Sequence, residues 1–157
     1  MPDVVLKNYF NMITSGNFPW HFTPVVSQQD STKEKEKNNF QFANTLYQGN
    51  LPKNELFNHF NAILNYIPEL QSLVKFKINC NPCYSQIIEH DFHVDVPYNC
   101  NTAIIYLNTN DGYTLFETGE KVNSVENRMV IFPSQIKHTG TTCTDQQARF
   151  VININYF

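Results

Sequence analysis

His93 and Asp95 stand two positions apart, His138 follows 45 positions after His93, and Arg149 lies 11 further on. Residues i and i+2 of a strand point to the same face, so one short strand could offer both His93 and Asp95 to a metal ion. With His138 as a third ligand, two imidazoles and one carboxylate would be assembled. That is the donor set of non-haem Fe(II) centres, which keep coordination positions open. The His-x-Asp pair alone is weak evidence. With 5 His and 14 acidic residues in 157, chance produces roughly half such a pair. The ordered set must carry the weight.

Arg149 adds a cation with a direction. It is one of only two Arg in the chain and opens the run ARFVININYF (148–157). Phe150, Ile152, Ile154 and Tyr156 alternate with Arg149, Val151, Asn153 and Asn155, so Arg149 faces away from a wholly apolar side. A guanidinium turned into a β-sandwich is very costly without an anionic partner. A dicarboxylate gripped through two parallel N–H···O bonds would supply one. The ordinary alternative is a salt bridge at the sandwich rim. For His138, which follows the run RMVIF and Pro133, the ordinary reading is a surface turn. His90 falls on the opposite strand face from His93 and reads as a structural histidine; His21 and His59 have no partners that raise them above background.

The elements that must position these residues are mostly short strands. Residues 3–15 suit a helix, with apolar Val4, Val5, Phe10, Met12 and Ile13 between an early Asp and Gly16. Residues 20–26 and 40–47 have strand character. Residues 51–67 form the best helical pattern, Leu56, Phe57, Phe60, Ile63, Leu64 and Ile67 recurring at three and four, with Pro68 as the stop. Phe60 and Ile63 are expected to pack on a sheet. From 73 onward the period is two: Val74, Phe76, Ile78 and Cys80 oppose Lys75, Lys77 and Asn79. His90, Phe92, Val94 and Val96 likewise oppose Asp91, His93 and Asp95. Residues 102–108 and 128–132 are further β-rich runs. Many short strands broken by Asn, Asp, Gly and Pro predict a closed antiparallel sandwich or barrel with helices on one side.

Composition narrows the classes. Apolar residues make up 41%, with 13 Phe and 8 Tyr, while charged residues are only 16%, so the chain is expected to be globular. Its length predicts one domain, residues 1–157. The net charge of −3 comes without any isolated basic cluster, which disfavours nucleic acid as a partner. No apolar run is long enough to span a membrane, and the N-terminus does not read as a signal peptide. A cytoplasmic protein with Cys80, Cys83, Cys100 and Cys143 reduced is the expectation. Cys80-x-x-Cys83 has zinc-ligand spacing, but the other two Cys form no second close pair, so ordinary packing is the plainer reading. The polar stretch 27–39 is expected to be a solvated loop, with a lid over a site as the sharper alternative.

In order along the chain, Tyr84 in NPCYSQ, HVD (93–95), IIYLN (104–108), DGYTLFETGEKV (111–122), NRMVIFPSQIKH (127–138) and ARFVININYF (148–157) resemble the Fe(II)/2-oxoglutarate-dependent oxygenases, on their prolyl-hydroxylase-like side. Tyr113 occupies the second glycine of the family's Gly-Gly-Thr-x-Phe segment. The resemblance covers roughly 73–157; more loosely, the whole chain looks like short phage-encoded members, which would place it in a host cytoplasm. It implies a mainly β fold, a double-stranded β-helix (jelly roll), with residues 1–72 as supporting helices and strands and 73–157 as the binding core. It implies Fe(II) held by His93, Asp95 and His138, and 2-oxoglutarate held by Arg149 with help from the Tyr106 hydroxyl. Tyr84 matches a position near the co-substrate, and Asn153, on the Arg149 face, would be a further contact.

The activity so implied is a dioxygenase that hydroxylates an unactivated C–H bond with O2, converting 2-oxoglutarate to succinate, with ascorbate as a reductant. The best single guess at its target is a prolyl or other amino-acid residue, peptidyl or free. Halogenating relatives lack the carboxylate, so Asp95 points to hydroxylation. A cupin-like metalloprotein on the same barrel, without 2-oxoglutarate, gives no use for Arg149. A non-catalytic jelly-roll binding module gives none for the ordered His, Asp and His. A nucleic-acid demethylase fits the acidic balance poorly. Lys75, Lys77 and the 27–39 stretch are candidates for the pocket mouth; the substrate and the oligomeric state are not written in the sequence.

Overall fold

The computed structural model describes residues 1–26 and 39–157; the expected lid, apart from Asn39, lies outside them. A first helix, α1 (Asp3–Thr14), leads to strands β1 (His21–Thr23), β2 (Gln41–Gln48) and β3 (Leu51–Pro52). A short helix α2 (Leu56–Phe60) continues as a 3-10 turn (Asn61–Tyr66). Then follow β4 (Leu73–Pro82), β5 (Asn101–Tyr106), β6 (Tyr113–Phe116), β7 (Lys121–Asn123), β8 (Met129–Pro133), β9 (His138–Gly140) and β10 (Ala148–Tyr156). One sheet runs β1-β2-β4-β10-β5-β8, with β3 on β2. The other runs β7-β6-β9, and every pairing between strands is antiparallel.

From β4 on, the chain alternates between the sheets. β4 lies in the large one, and residues 88–95 bridge to the small one at Glu89↔Thr141 and His93↔His138. β5 returns to the large sheet, β6 and β7 to the small, β8 to the large, β9 to the small, and β10 closes in the centre of the large. This is the double-stranded β-helix. Closure by two stacked sheets covers inner edges that would otherwise be left open.

The main core lies outside the large sheet. Leu6, Tyr9 and Ile13, one face of α1 at spacings of three and four, meet Phe60, Ile63, Phe76, Ile78, Ile152 and Ile154. Each fully buried apolar side chain of this size contributes about 1.5–3 kcal/mol. The buried face of α1 differs from the expected one: Val4 is exposed and Leu6 and Tyr9 turn inward. Between the sheets a smaller cluster, Ile104, Tyr106, Phe116, Phe132 and Val151, fills one end, and the other end stays open.

Two expected elements are altered. The 51–67 helix begins late, because Gly49 and Asn50, both at positive φ, turn Leu51 and Pro52 back onto β2. The Asn54 Oδ1 then accepts from the Leu56 amide, which starts the helix there. Asn58, Asn61 and Asn65 are poor helix formers, and the second half tightens to 3-10 geometry before Pro68. The 90–96 run is not a regular strand. It holds only isolated bridges, Phe92 is exposed, and Val94 lines the same cleft as His93 and Asp95. Asp91, Pro97 and the Asn-rich turn beyond interrupt the period of two.

Candidate metal centre

His93 and His138 are backbone partners before they are anything else. The His93 amide donates to the His138 carbonyl at 3.0 Å, and the His138 amide returns a bond to the His93 carbonyl at 3.1 Å. This reciprocal pair sets the two rings 5.0 Å apart between centroids. Each ring is then oriented from behind: His93 Nδ1 meets the Asp91 carbonyl at 3.0 Å, and His138 Nδ1 meets the Ile136 carbonyl at 3.2 Å. A carbonyl only accepts, so Nδ1 carries a proton in both rings and Nε2 is the nitrogen turned to the cluster.

Both Nε2 atoms point at Asp95. His93 Nε2 is 3.8 Å from Asp95 Oδ1, and His138 Nε2 is 3.5 Å from Asp95 Oδ2. One ligand atom from each of the three residues falls within 4.8 Å of the others, a cluster sized for one metal ion. Asn153 donates from Nδ2 to Asp95 Oδ2 at 2.8 Å. Burial alone would raise the Asp95 carboxyl, but the imidazole of His138, with His93 and Asn153, holds it well below the usual carboxylate range. Burial pulls the His93 imidazolium down, against Asp95, favouring the neutral ring that a metal needs. Phe132 packs edge-on to the His138 ring at 4.8 Å, walling it from water.

Arg149 is 2% exposed. Its Nε donates to Ser124 Oγ at 2.8 Å and its Nη2 to Thr114 Oγ1 at 3.2 Å. No carboxylate among the described residues pairs with it. Two glycines make room for it. A Cβ on Gly112 would come within 2.7 Å of Arg149 Cδ, and one on Gly140 within 3.2 Å of Nη1. Burial pulls its pKa down from the ordinary guanidinium value, so the group is a desolvated cation whose neighbours are neutral hydroxyls.

A cleft of about 510 Å³ joins the parts, lined by His93, Asp95, His138, Arg149, Asn153 and Thr114 among others. Tyr106 is not in that lining. Its hydroxyl donates to Thr114 Oγ1 at 2.8 Å, and its ring lies 5.5 Å from the guanidinium carbon, so it backs the Arg149 pocket. Tyr84 is also outside the lining, edge-on to Phe40 at 6.2 Å. His90, expected on the far face, lines the cleft, with Nδ1 3.0 Å from Asn39 Oδ1. Thr114 is the threonine of the Gly-Gly-Thr-x-Phe-like segment, though its part as a support of Arg149 was not read from it; Ser124, the other support, carried no signal in the sequence, since a lone hydroxyl has no pattern.

The four cysteines are free thiols, and no group of metal-ligand spacing contains two of them among the described residues. Cys143 does lie near Asp111 and Asp145. There, however, the Asp111 amide donates to Asp145 Oδ1 and the Thr144 amide to Asp111 Oδ1, so these carboxylates clamp two loops together.

No family model and no curated protein matches the chain by sequence. Solved structures do match in fold. An oxidoreductase of the 2OG-Fe(II) oxygenase family from Burkholderia pseudomallei superposes with a TM-score of 0.65 at 11% identity, over 97% of this chain and 77% of that one. A viral collagen prolyl hydroxylase from Paramecium Bursaria Chlorella virus-1, solved as a 2OG complex, gives 0.55 at 14%, over 99% and 90%. The DMSP lyase DddQ from Ruegeria pomeroyi DSS-3 gives 0.55 at 13%, over 88% of this chain and 56% of that one. The chain therefore has the fold of 2OG-Fe(II) oxygenases and prolyl hydroxylases. At these identities the fold is what is shared, and a lyase shares it too, so the reaction must be argued from the site. Among the described residues no helix is long and apolar enough to cross a membrane.

Proposed function

We propose that this chain is an Fe(II)- and 2-oxoglutarate-dependent dioxygenase that hydroxylates an unactivated C–H bond, with a prolyl or other amino-acid residue as the best single target. The observation that carries the reading is Arg149, a buried cation with no carboxylate partner among the described residues, in the same cleft as the His93–Asp95–His138 cluster. A buried charge left unpaired is strongly unfavourable, and a dicarboxylate co-substrate would supply the missing anion.

The residues fit both absent groups. His93 Nε2, His138 Nε2 and the Asp95 carboxylate would hold Fe(II), two neutral rings and one ionised acid supplying the donors. Arg149 and Thr114 would hold the distal carboxylate of 2-oxoglutarate, with Tyr106 fixing the Thr114 hydroxyl. When bound, iron, 2-oxoglutarate and O2 supply the oxidation, R–H + 2-oxoglutarate + O2 giving R–OH + succinate + CO2. The chain contributes orientation and dryness. The Asp91 and Ile136 carbonyls keep the ring protons at Nδ1, Asn153 keeps Asp95 turned inward, and Phe132 keeps water from behind His138.

A cupin-like metalloprotein is the second reading, and the His93–Asp95–His138 cluster, which needs no 2-oxoglutarate to hold a metal, is what favours it. It leaves Arg149 without purpose. Anaerobic addition of Fe(II) and then 2-oxoglutarate separates the two. A visible metal-to-ligand charge-transfer band is expected in the wild type, lost in His93→Ala and weakened in Arg149→Ala. No band with iron bound would favour the cupin-like or binding-module readings. Succinate release across peptide and amino-acid panels then addresses the target.

A further inference from the structure

The cleft has a second cationic pole. β4 alternates, sending Phe76 and Ile78 into the main core and Lys75 and Lys77 into the cleft beside the metal ligands. The register with β10 fixes where they stand. Asn81 pairs with Arg149, Asn79 with Val151, Lys77 with Asn153 and Lys75 with Asn155. Arg149 and Asn153 are four residues apart on one face, roughly 13 Å along the strand. Asn153 is the residue that holds Asp95, so Lys77 lies one strand over from the metal cluster, at the far end from Arg149.

Neither lysine has an ion-pair partner among the described residues. Lys77 is half-buried, with Asp95 as the carboxylate that acts on it and Lys75 repelling it. Asp95 is already engaged by Asn153 and both imidazoles. Two like charges packed side by side in a cleft are unfavourable unless something anionic comes between them. If Arg149 takes the co-substrate, as proposed above, that something is not 2-oxoglutarate.

We infer that Lys77, flanked by Lys75, forms a substrate subsite for a carboxylate, so that the molecule to be hydroxylated carries an anionic group close to the C–H bond attacked. A neutral internal peptide segment would leave both ammonium groups unanswered. A free amino acid offers its α-carboxylate, and a peptide could offer an acidic side chain. Both sources share the chemistry that the lysines read.

The test uses the protein loaded with Zn(II) and 2-oxoglutarate, which binds without turning over. Calorimetry would compare free amino acids with their carboxamides, and Asp- or Glu-containing peptides with their Asn or Gln counterparts. At least one carboxylate probe is expected to bind tenfold or more tighter than its amide. That preference should collapse in Lys77→Met, return in Lys77→Arg and shrink in Lys75→Met. The 2-oxoglutarate affinity should stay within twofold throughout. A binder from the free set assigns the α-carboxylate, and one from the peptide set assigns the side chain.

Equal binding of acid and amide overturns the inference, as does a preference that survives Lys77→Met. A panel without binders, or loss of metal affinity with the preference intact, also overturns it. Failure of 2-oxoglutarate to bind the wild type would instead sink the proposed reaction, while the acid-over-amide comparison would still judge the subsite.

Discussion

The Asn153 side-chain amide donates to Asp95 Oδ2 at 2.8 Å, reaching from the central strand of the large sheet to the acid that the two imidazoles face. Supports of this kind behind a metal ligand are typically worth 10–100-fold in metal affinity. Asn153→Ala is therefore expected to weaken Zn(II) or Fe(II) binding by about that factor while the far-ultraviolet spectrum is unchanged. Competition with a chromophoric chelator measures it. Binding within twofold of wild type would show that Asp95 needs no such support.

Arg149→Met separates what the guanidinium does for folding from what it does for binding. Replacing a buried charge by an apolar side chain of similar size is often neutral or stabilising, so the ligand-free variant should unfold at an equal or higher denaturant concentration than wild type. Its affinity for 2-oxoglutarate should fall by roughly a hundredfold or more, since a desolvated charge pair would be lost. A variant that is destabilised yet keeps its affinity would place the role of Arg149 in the fold.

Gly112 is required by crowding. A Cβ there would lie 2.6 Å from the Thr142 carbonyl oxygen, 2.7 Å from Arg149 Cδ and 2.8 Å from Asn110 Oδ1. Gly112→Ala should destabilise the protein by about 1–3 kcal/mol and, by displacing Arg149, weaken 2-oxoglutarate binding as well. Gly16→Ala, with nothing within 4 Å of its Cβ, is the control and should do neither. Chemical denaturation and calorimetry on the two variants decide it.

The charge on Lys77 predicts a pH dependence. Burial, then Lys75, pull its ammonium from 10.5 down to about 8, with Asp95 opposing. Between those values the unfolded chain binds a proton that the folded chain has released, so this residue's contribution to stability rises with pH. Below about 8 the ammonium is charged in both states and the cost of its partial desolvation stands in full. Lys77→Met is thus expected to be more stable than wild type at pH 7, with the gap narrowing as pH climbs from about 8 toward 10.5. Denaturation series at several pH values check this; a constant gap would show that Lys77 does not titrate there. His93, which Lys77 also influences, is held below its ordinary 6.5 and so titrates beneath this window.

The meeting of His93, Asp95, His138 and Arg149 in one cleft was legible in part: spacing of two pairs His93 with Asp95 and turns Arg149 off the apolar face, while His138 entered only through the order of the motifs. The apolar face of β10 was legible from the same spacing, since Phe150, Ile152, Ile154 and Tyr156 all join the main core. The 90–96 segment was less so: the i, i+2 rule does bring His93 and Asp95 together, but His90 and Val94 turn into the cleft beside them. A segment paired only at isolated bridges has no regular pleat to keep its faces apart. Tyr106 was expected to help Arg149, and its buried phenol meets Thr114, the hydroxyl that also takes a bond from Arg149. The helix expected over 51–67 shows a different limit. Its apolar spacing was real, but a hairpin at Gly49–Asn50 and the Asn54 cap decided where it could begin.

His93 and His138, two of the three proposed metal ligands, are neighbours across a single antiparallel bridge. Their separation is thereby a property of the main chain and does not depend on what lies between them in sequence. The turns between residues 93 and 138 that carry none of the Arg149 supports could grow or shrink over evolutionary time without moving those reciprocal amide bonds. Kinship of this chain with distant proteins is then better sought in that one rung than in any fixed count of residues.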